Sequence, residues 1–572
     1  MLAFAGRSRI VGSLVTAALL STGASSARTG AESASPPLAL IGIGDSLTHG
    51  TMDATNNALN TANAYVQRVR NSLSRRVPLA FAQPFYDFDE NRVDPFRLPT
   101  NLGVDGADSF TIDGLEYHRR AGTDQDTVSP GLLADKLLPS QFEGDYDKVL
   151  YPINVLAGEP TSQVSGAEWL LRTALPQAGV ARAATLYWVG NNDSSTAALG
   201  LGGSNPMFLP IPAAQLLPKL PGLSLLLQFA EHEGLVSFEP YTAAAIDRNL
   251  TTVGDFTAQQ QSVLARLVQA GADGGVESHV FVLTLPYYSS IGYLMDSEDI
   301  EFYLRKVKPT YRVPASFKRV APVGQPITDP LAGDRISFLT FGLMYALLDT
   351  GVPIAIVNDV LEHDGQQRDG LVLSEAEGRT IRERIDAFNA ALRTLAAAAG
   401  PHVHVVEVGP ILNGVLTGST PVTIGGRAIT RKWIRGSAFG FDGVHPNYVG
   451  HALIADLVVA RINAEMGLDA PIMPLAPVMD SDPYIDRDGD GWAAGPNYAH
   501  AGITNLLFLF KDPDDSDPAQ QVTLPPDVWE RIQDAILSSV LAAGPTVRAE
   551  AQRLGLAAST DLGTNILPAG RP

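Results

Sequence analysis

A serine, a histidine and an aspartate stand in this chain where they could carry out nucleophilic catalysis. Ser46 follows an apolar run in the segment Ile41–Gly50, at a Gly-Asp-Ser turn that would expose its hydroxyl at the end of a strand. Asp442 and His445 lie three residues apart before a predicted helix, so one loop can carry a base and the carboxylate that orients it. The set predicts acyl transfer through a covalent serine intermediate. Ser46 alone does not decide this, because Asp and Ser in such a turn are also common helix caps.

Two further segments could donate hydrogen bonds to the oxyanion of such a reaction. Gly106 lies in a glycine-containing turn and can present an unobstructed backbone N–H. Asn192 follows the strongest predicted strand and can supply a side-chain amide. Together with the N–H of Ser46, these groups would place three donors around one point. Gly158, at the end of Asn154–Gly158, is the alternative glycine because it is nearer to Asn192 in sequence.

Four short blocks hold these residues: Gly44-Asp45-Ser46-Leu47, Gly106, Gly190-Asn191-Asn192-Asp193 and Asp442-Gly443-Val444-His445-Pro446. In this order they resemble the blocks of the GDSL-type SGNH hydrolases, a family whose name lists Ser, Gly, Asn and His. The resemblance spans roughly residues 38 to 470. It implies that Ser46 is the nucleophile, His445 the base and Asp442 its orienting acid. It also implies an oxyanion hole made by Ser46, Gly106 and Asn192.

The elements that must position these residues alternate between short apolar strands and amphipathic helices. This alternation predicts an α/β fold with three layers, α/β/α, and a mainly parallel central sheet. The resemblance to SGNH hydrolases implies the same flavodoxin-like architecture. The predicted strands are Pro37–Ile43, Ala184–Val189, Val280–Leu285 and Val403–Val408, and the predicted helices are Thr257–Ala270 (stopped by Gly271), Glu375–Ala399 and Tyr448–Met466.

Changes in composition divide the chain into three parts. Residues 1–27 have the basic flank, short apolar stretch and small residues of a cleavable signal peptide, although a disordered extension is the alternative. Residues 38–475 form the predicted hydrolase domain, with insertions near 198–241 and 296–333 that could be lids, acyl-binding walls or packed surface loops. Residues 476–572 are an Asp-rich C-terminal extension. About 250 residues separate Asn192 from Asp442, more than in compact family members, which implies a remodelled pocket.

The overall composition narrows the classes of partner. A net charge of −20 argues against nucleic acid and anionic membrane surfaces as partners. The absence of cysteine excludes disulfides, thiolate metal sites and a cysteine nucleophile. No segment of the mature chain is predicted to span a membrane. Together with the signal-like N-terminus, these features predict a secreted, periplasmic or cell-surface protein.

The C-terminal extension contains one candidate metal site. Asp486, Asp488 and Asp490 form an Asp-x-Asp-x-Asp-Gly sequence, which is how a calcium loop begins, because alternate carboxylates can converge on one cation. Asn497 stands at the twelfth position instead of Glu, so a complete EF-hand is not expected. The sequence predicts a structural calcium or, alternatively, a solvated acidic linker. No cofactor is expected for catalysis.

The remaining histidines have structural interpretations. His49 is expected to stabilise the turn after Ser46 or to line the rim of the pocket. His402 and His404 alternate along a predicted strand but lack an obvious third metal ligand, so a structural role is expected. His451, on the last predicted helix, is expected to face solvent.

The combined prediction is a secreted serine esterase or lipase that hydrolyses small-molecule or lipid esters. A carbohydrate esterase or an acyltransferase of the same fold is an alternative that the blocks do not distinguish. A catalytically silent secreted binding protein is the alternative from another class. It is disfavoured because no catalytic position has been lost.

Overall fold

The computed structural model describes residues 37–117, 133–199, 207–208, 236–237, 246–247, 249–317, 331–349, 351–359, 372–498 and 511–512. The predicted signal peptide, most of the insertion near 198–241 and most of the C-terminal extension therefore lie outside the described residues. The strands of these ranges are Leu38–Gly44 (β1), Leu79–Ala80 (β2), Arg182–Trp188 (β3), Met207–Phe208 (β4), Val236–Ser237 (β5), Glu277–Leu283 (β6), Leu294–Met295 (β7), Arg335–Ser337 (β8), Val372–Leu373 (β9), Val403–Val406 (β10), Val422–Ile424 (β11) and Arg427–Ile429 (β12).

Within the described ranges, five parallel strands form the central sheet in the order β10-β6-β3-β1-β2. All seven residues of β1 are buried, as expected for a strand that is covered on both faces. The chain places β2 on one side of β1 and β3 on the other, so the strand order reverses between β1 and β3. Ligand sites of such sheets lie at the carboxyl ends of the strands at this switch point. Ser46 and Asn192 follow β1 and β3, so both lie at this edge.

Helices cover the sheet and complete the predicted three-layer α/β/α fold, which is confirmed. One pair, α9 and α13, packs together, and so does a second pair, α3 and α15. The helices of the described ranges are Ser46–His49 (α1), Ala58–Asn63 (α2), Tyr65–Leu73 (α3), Asp145–Leu150 (α4), Ile153–Ala157 (α5), Gln163–Trp169 (α6), Leu175–Gln177 (α7), Asn192–Leu199 (α8), Val253–Gly274 (α9), Ser297–Val307 (α10), Phe338–Asp349 (α11), Ile354–Asp359 (α12), Glu375–Ala399 (α13), Val408–Thr417 (α14), Tyr448–Met466 (α15) and Leu475–Ser481 (α16). None of them is long and apolar enough to cross a bilayer.

The helix boundaries follow local capping chemistry. Helix α13 has the predicted bounds because Ser374 and Glu377 form a reciprocal capping box at its start. Helix α9 departs from the prediction, since it begins at Val253, continues past Gly271 and ends at Gly274, where Gly275 caps it with a φ of +66°. Gly271 is needed for close packing instead of termination, because a Cβ there would lie 2.6 Å from the Cβ of Ser278.

The second insertion and the start of the C-terminal extension both pack on the α/β core. Strands β7 and β8 lie directly before and after residues 296–333, and with β9 they form a small antiparallel sheet. Asp296, at the start of this insertion, forms an ion pair with Arg431. In the extension, Tyr484 and Trp492 are fully buried. The ring of Tyr484 lies 5.5 Å from that of Phe441, directly before the Asp442 loop. Residues 482–492 thus support the loop that carries Asp442 and His445.

Candidate active site

Ser46 lies at the carboxyl end of β1, in a turn that glycine makes possible. A Cβ at Gly44 would come within 2.2 Å of the Thr48 hydroxyl, so the strand can turn into α1 only without a side chain there. Asp45 caps α1 by accepting a 2.9 Å hydrogen bond from the Leu47 N–H. Asp45 therefore performs the capping, and the hydroxyl of Ser46 is left for another partner.

That partner is His445, from a loop almost 400 residues away in sequence. The Nε2 atom of His445 lies 2.9 Å from the Oγ atom of Ser46. Its Nδ1 atom lies 2.6 Å from Oδ2 of Asp442. The loop is tight because the other oxygen of Asp442 accepts hydrogen bonds of 2.9 Å from the backbone N–H groups of Val444 and His445. The structure thus brings the three residues predicted for catalysis into one hydrogen-bonded chain.

The turn that follows α1 contacts Phe441–Pro446, which is named the base loop after the role predicted for His445. The Ala54 N–H donates a 2.7 Å hydrogen bond to Oδ2 of Asp442, the oxygen that faces His445. Asp53 accepts a hydrogen bond of 2.5 Å from the Phe441 N–H. Asp53 and Ala54 have φ values of 52° and 54°, in the left-handed region that is costly for residues with a Cβ. Sequence reasoning did not identify this turn, because it contains no glycine that would mark the conformation.

Charges around His445 favour its protonated form. Burial alone would lower the pKa of His445, but the charge of Asp442 and the hydrogen bond to it outweigh burial and raise the pKa above 6.5. Asp105 and Asp45 add to the increase. Burial opposes ionisation of Asp442, yet the charge of His445 and the hydrogen bonds that Asp442 accepts hold its pKa below the ordinary value. The arrangement suits a base that must receive a proton from a hydroxyl.

Residues 104–109 are named the oxyanion loop after the role predicted for Gly106. Gly106 lines the cavity beside Ser46 and Asn192, and its φ is +73°. The side chain of Asn192 donates a 2.9 Å hydrogen bond to the carbonyl oxygen of Ala107. Gly158, the alternative glycine, instead ends α5, and a Cβ there would meet no atom within 4 Å. Of the two glycines, Gly106 is the one that lies at the cavity.

The side chains of Asn191 and Asp45 connect the segment after β3 to the turn at Ser46. Asn191 donates a 2.8 Å hydrogen bond to Oδ2 of Asp45 and joins the asparagine block to the serine block. Burial raises the pKa of Asp45 to about 6, and the hydrogen bond from Asn191 offsets part of the effect of burial. The motif Gly-Asn-Asn-Asp indicates from the sequence alone that Asn192 is a candidate oxyanion donor. The partner of Asn191 can be identified only once β1 and β3 are known to be neighbours.

A cavity of about 260 Å³ opens at Ser46 and His445. Its walls are mostly apolar or aromatic, and the polar groups are concentrated around the nucleophile. This arrangement can receive an apolar group beside the Ser46 hydroxyl. The apolar and aromatic wall residues are Leu47, Ala54, Trp188, Leu199, Pro286, Tyr287, Tyr288, Ile291, Leu412, Leu416, Phe439, Val444 and Pro446.

Two of the remaining histidines, His49 and His451, are fully buried. His49 is fully buried, with Nδ1 3.2 Å from Oδ1 of Asp105, which fits the expected role in stabilising the turn. The expectation that His451 faces solvent is wrong, since this side chain is completely buried. Its Nδ1 accepts a hydrogen bond from the Tyr65 N–H, and burial lowers its pKa to about 3. Helix α15 buries His451 against α3, which a one-sided amphipathic pattern does not predict.

Three histidines, His279, His402 and His404, form a cluster, of which the sequence indicated only the last two. His279 on β6 places its Nδ1 2.9 Å from Nε2 of His404 and its Nε2 3.3 Å from Nδ1 of His402. Glu465 of α15 reaches the other nitrogen of His404 at 3.2 Å. His279 contacts each ring through a different nitrogen, and its Nε2 atom also lies 3.1 Å from Oε1 of Glu277. The adjacency of β6 and β10 was the information needed to find it.

The three aspartates of the predicted calcium loop converge in the structure. One carboxylate oxygen from each of Asp486, Asp488 and Asp490 lies within 4.8 Å of the others. Asp486 is buried and accepts hydrogen bonds of 2.7 and 2.9 Å from the N–H groups of Gly489 and Gly491. Carboxylate oxygens are the donors that calcium prefers. The residues fit the ion, and calcium binding stays a prediction.

Comparison with known proteins adds no relative. No family model, curated protein or solved structure matches this chain. A function must therefore be inferred from the geometry around Ser46.

Proposed function

We propose that this protein is a serine hydrolase that cleaves carboxylic esters through an acyl-enzyme on Ser46. The observation that carries the proposal is the chain of hydrogen bonds from Ser46 through His445 to Asp442, with lengths of 2.9 and 2.6 Å, at the mouth of a cavity. Serine hydrolases on unrelated folds use this arrangement, so it is recognised by geometry and roles. The resemblance of the four sequence blocks to GDSL-type SGNH hydrolases supports the same conclusion, and the signal-like N-terminus favours a secreted enzyme.

In the first half of the proposed reaction, Oγ of Ser46 attacks the carbonyl carbon of the ester. Its proton passes to Nε2 of His445, and the charge of Asp442 stabilises the imidazolium that forms. The carbonyl oxygen becomes an oxyanion, for which the N–H groups of Ser46 and Gly106 and the amide of Asn192 are the proposed donors. His445 then protonates the leaving alcohol, and the acyl group remains on Ser46.

In the second half, water enters where the alcohol left. His445 takes a proton from the water, whose oxygen attacks the acyl carbon, and the same donors stabilise the second oxyanion. Collapse of this intermediate returns the proton to Ser46 and releases the carboxylic acid. The residues described above thus account for every proton and charge in the cycle. The mostly apolar cavity favours esters of apolar acids over acetylated polysaccharides as substrates.

Hydrolysis of nitrophenyl esters tests the proposal. We expect the purified protein to hydrolyse a series of esters with short to long acyl chains, and Ser46→Ala to lower kcat roughly a million-fold. The chain-length profile would separate lipid-like esters from acetyl esters as the preferred class. Equal rates for the two proteins, or no turnover by either along the whole series, would contradict the proposal.

A further inference from the structure

One carboxylate beside the cavity has no part in the proton transfers described above. Asp105 directly precedes Gly106 and lines the cavity wall. The hydroxyl of Thr51 lies 2.7 and 2.9 Å from its two oxygens. The backbone N–H of Thr51 in turn donates a 2.9 Å hydrogen bond to the carbonyl oxygen of Ser46. Thr51 therefore connects the nucleophile's own residue to the residue next to Gly106.

Other side chains from the same stretch reach Asp105. Nδ1 of His49 lies 3.2 Å from Oδ1, and the amide of Asn56 lies 3.5 Å from Oδ2. These donors come from the nine residues that follow Leu47. A carboxylate offers about four acceptor positions. Asp105 thus gathers donors from a short segment that is fixed to Ser46.

The rest of the oxyanion loop is held by different elements. The Val104 N–H donates to the carbonyl oxygen of Gly44, at 3.1 Å. On the far side, Asp193 accepts hydrogen bonds of 3.0 and 2.7 Å from the N–H and hydroxyl of Ser109. Gly106 lies between these attachments, where glycine supplies no side chain for anchoring. The Asp105 side chain, next to Gly106, connects this loop to the segment that follows Ser46.

We propose that Asp105 is a positioning residue that, through the Thr51 hydroxyl, holds Gly106 in place relative to Ser46 for stabilisation of the oxyanion. The inference rests on the proposed function. Oxyanion donors act only when they lie about 2.7–3.1 Å from the developing charge, and a displacement of about 1 Å can cost about 100-fold in rate. The oxyanion exists in the transition state and not in the bound ester, so loss of the attachment lowers kcat and leaves KM nearly unchanged.

The charge of Asp105 gives the inference a second signature. Burial would raise the pKa of Asp105, but the hydrogen bond and charge of His49 and the hydrogen bond from Thr51 hold it below the ordinary value. The carboxylate is therefore ionised, and it raises the pKa of His445 together with Asp442 and Asp45. Asp145 also faces this group, and burial and the charge of Asp105 raise its pKa to about 6.

Thr51→Val and Thr51→Ser form a matched pair for the test. Valine keeps the shape of threonine and removes the hydroxyl, whereas serine keeps the hydroxyl. With a nitrophenyl ester as substrate, we expect Thr51→Val to lower kcat about 10- to 100-fold with KM within about threefold. Thr51→Ser should stay within about threefold of the wild-type kcat. A wild-type kcat for Thr51→Val, an equal loss in Thr51→Ser, or a loss confined to KM would overturn the inference.

Asp105→Asn tests whether a loss of activity comes from the position and charge of residue 105 or from a general loss of structure. It should lower kcat by no more than Thr51→Val does, because the amide oxygen can still accept from the Thr51 hydroxyl, and it should move the acid limb of kcat/KM to lower pH because the charge is lost. Thr51→Val should leave that limb in place. The double variant should be no worse than the more impaired single variant, since the two residues act through one contact. Additive losses, or an unmoved limb in Asp105→Asn, would contradict the inference. The melting temperature shows whether Thr51→Val is folded. If it is not, the kcat of Asp105→Asn and the position of its acid limb test the inference.

Failure of the inference is distinguishable from failure of the proposed function. Wild-type hydrolysis that is abolished by Ser46→Ala but unaffected by Thr51→Val or Asp105→Asn would overturn only the role of Asp105. The proposed function fails if the wild type turns over no ester, or if Ser46→Ala turns it over equally well.

Discussion

Two loops meet at Ser46, and both are fastened to the short stretch of chain that follows it, but by different chemistry. The base loop is held by main-chain donors, since Asp442 accepts from the N–H of Ala54 as well as from its own turn. The oxyanion loop is held by side-chain donors, of which the Thr51 hydroxyl lies closest to Asp105. Main-chain donors survive most substitutions, whereas side-chain donors do not. We therefore expect the contact between Ala54 and Asp442 to tolerate substitution of Ala54, and the contact between Thr51 and Asp105 to be sensitive to substitution of Thr51.

Within the base loop the sensitive group is the acceptor, Asp442. Asp442→Asn should lower kcat by about 10⁴-fold, because an amide can neither stabilise the imidazolium nor hold His445 in the required tautomer. Steady-state kinetics beside a circular dichroism spectrum would measure this, with Ser46→Ala as the inactive reference. A loss under tenfold in a folded protein would mean that Asp442 is not the orienting acid.

On the oxyanion side the largest single effect is expected at Asn192. Asn192→Ala removes an amide that donates to the carbonyl oxygen of Ala107 and lines the cavity, and kcat should fall about 10²- to 10³-fold. Asn191→Ala, which loses the contact to Asp45 and not a cavity donor, is the matched comparison and should cost less. If Asn191→Ala cost more than Asn192→Ala, the donor would be wrongly assigned.

The base loop also sets the response to pH. His445 acts as a base only when neutral, and its raised pKa places the acid limb of kcat/KM above pH 6.5, with up to a tenfold loss per unit below the midpoint. The same shift stabilises the fold fully below the pKa that His445 has in the unfolded chain, and this contribution disappears as pH rises through the folded-state value. A limb centred below 6.5 would contradict the electrostatic account of the site.

Ala54 tests whether a main-chain contact to the base loop tolerates substitution. Ala54→Gly keeps the N–H that reaches Asp442 and removes the Cβ that makes a φ of 54° costly. Activity should stay within about twofold, and the free energy of unfolding should rise by about 1 kcal/mol, since the left-handed penalty exceeds the entropy cost of glycine. Chemical denaturation would measure the change. A large loss of activity in Ala54→Gly would show that the main-chain attachment is as fragile as that of Thr51.

The Asp486–Asp490 loop is expected to affect the stability of the fold and to leave kcat unchanged. Burial raises the pKa of Asp490 to about 6, and the neighbouring Asp488 adds to the increase, so a bound cation would relieve their repulsion. Calcium at about 100 times its Kd should stabilise the fold by about 2.7 kcal/mol. The melting temperature should rise by a few degrees with calcium and fall with chelator, and Asp488→Asn should abolish the response. A melting temperature that changes with neither calcium nor chelator would exclude a structural ion.

The features that could be predicted from the sequence are those that depend on residues close together in the chain. The strand-to-helix turn at Ser46 is visible because an apolar run ends in glycine, and Asp442 and His445 are visible because one turn holds both. The parallel sheet was predictable from alternating strands and helices, and it implies that the segments after β1 and β3 meet. The four predicted strands and the three predicted helices each overlap an observed element, although α9 begins before and ends after its predicted bounds.

Contacts between distant segments could not be predicted. The N–H of Ala54 meets Asp442 across 388 residues, and the carboxylate of Asp105 meets Thr51 across 54, with no periodicity to indicate either contact. His451 was placed wrongly because α15 buries more than one stripe of its surface. Such positions depend on packing between elements, and they are the ones that hold the two loops at Ser46.

Covalent labelling of Ser46 tests the central claim most directly. The wild-type protein would be incubated with a fluorophosphonate ester and its intact mass measured, followed by peptide mapping. The account predicts one phosphonyl group per chain, located on Ser46, with no labelling of Ser46→Ala and slower labelling of Asp442→Asn. An unmodified wild-type protein, or a label on another residue that persists in Ser46→Ala, would contradict it.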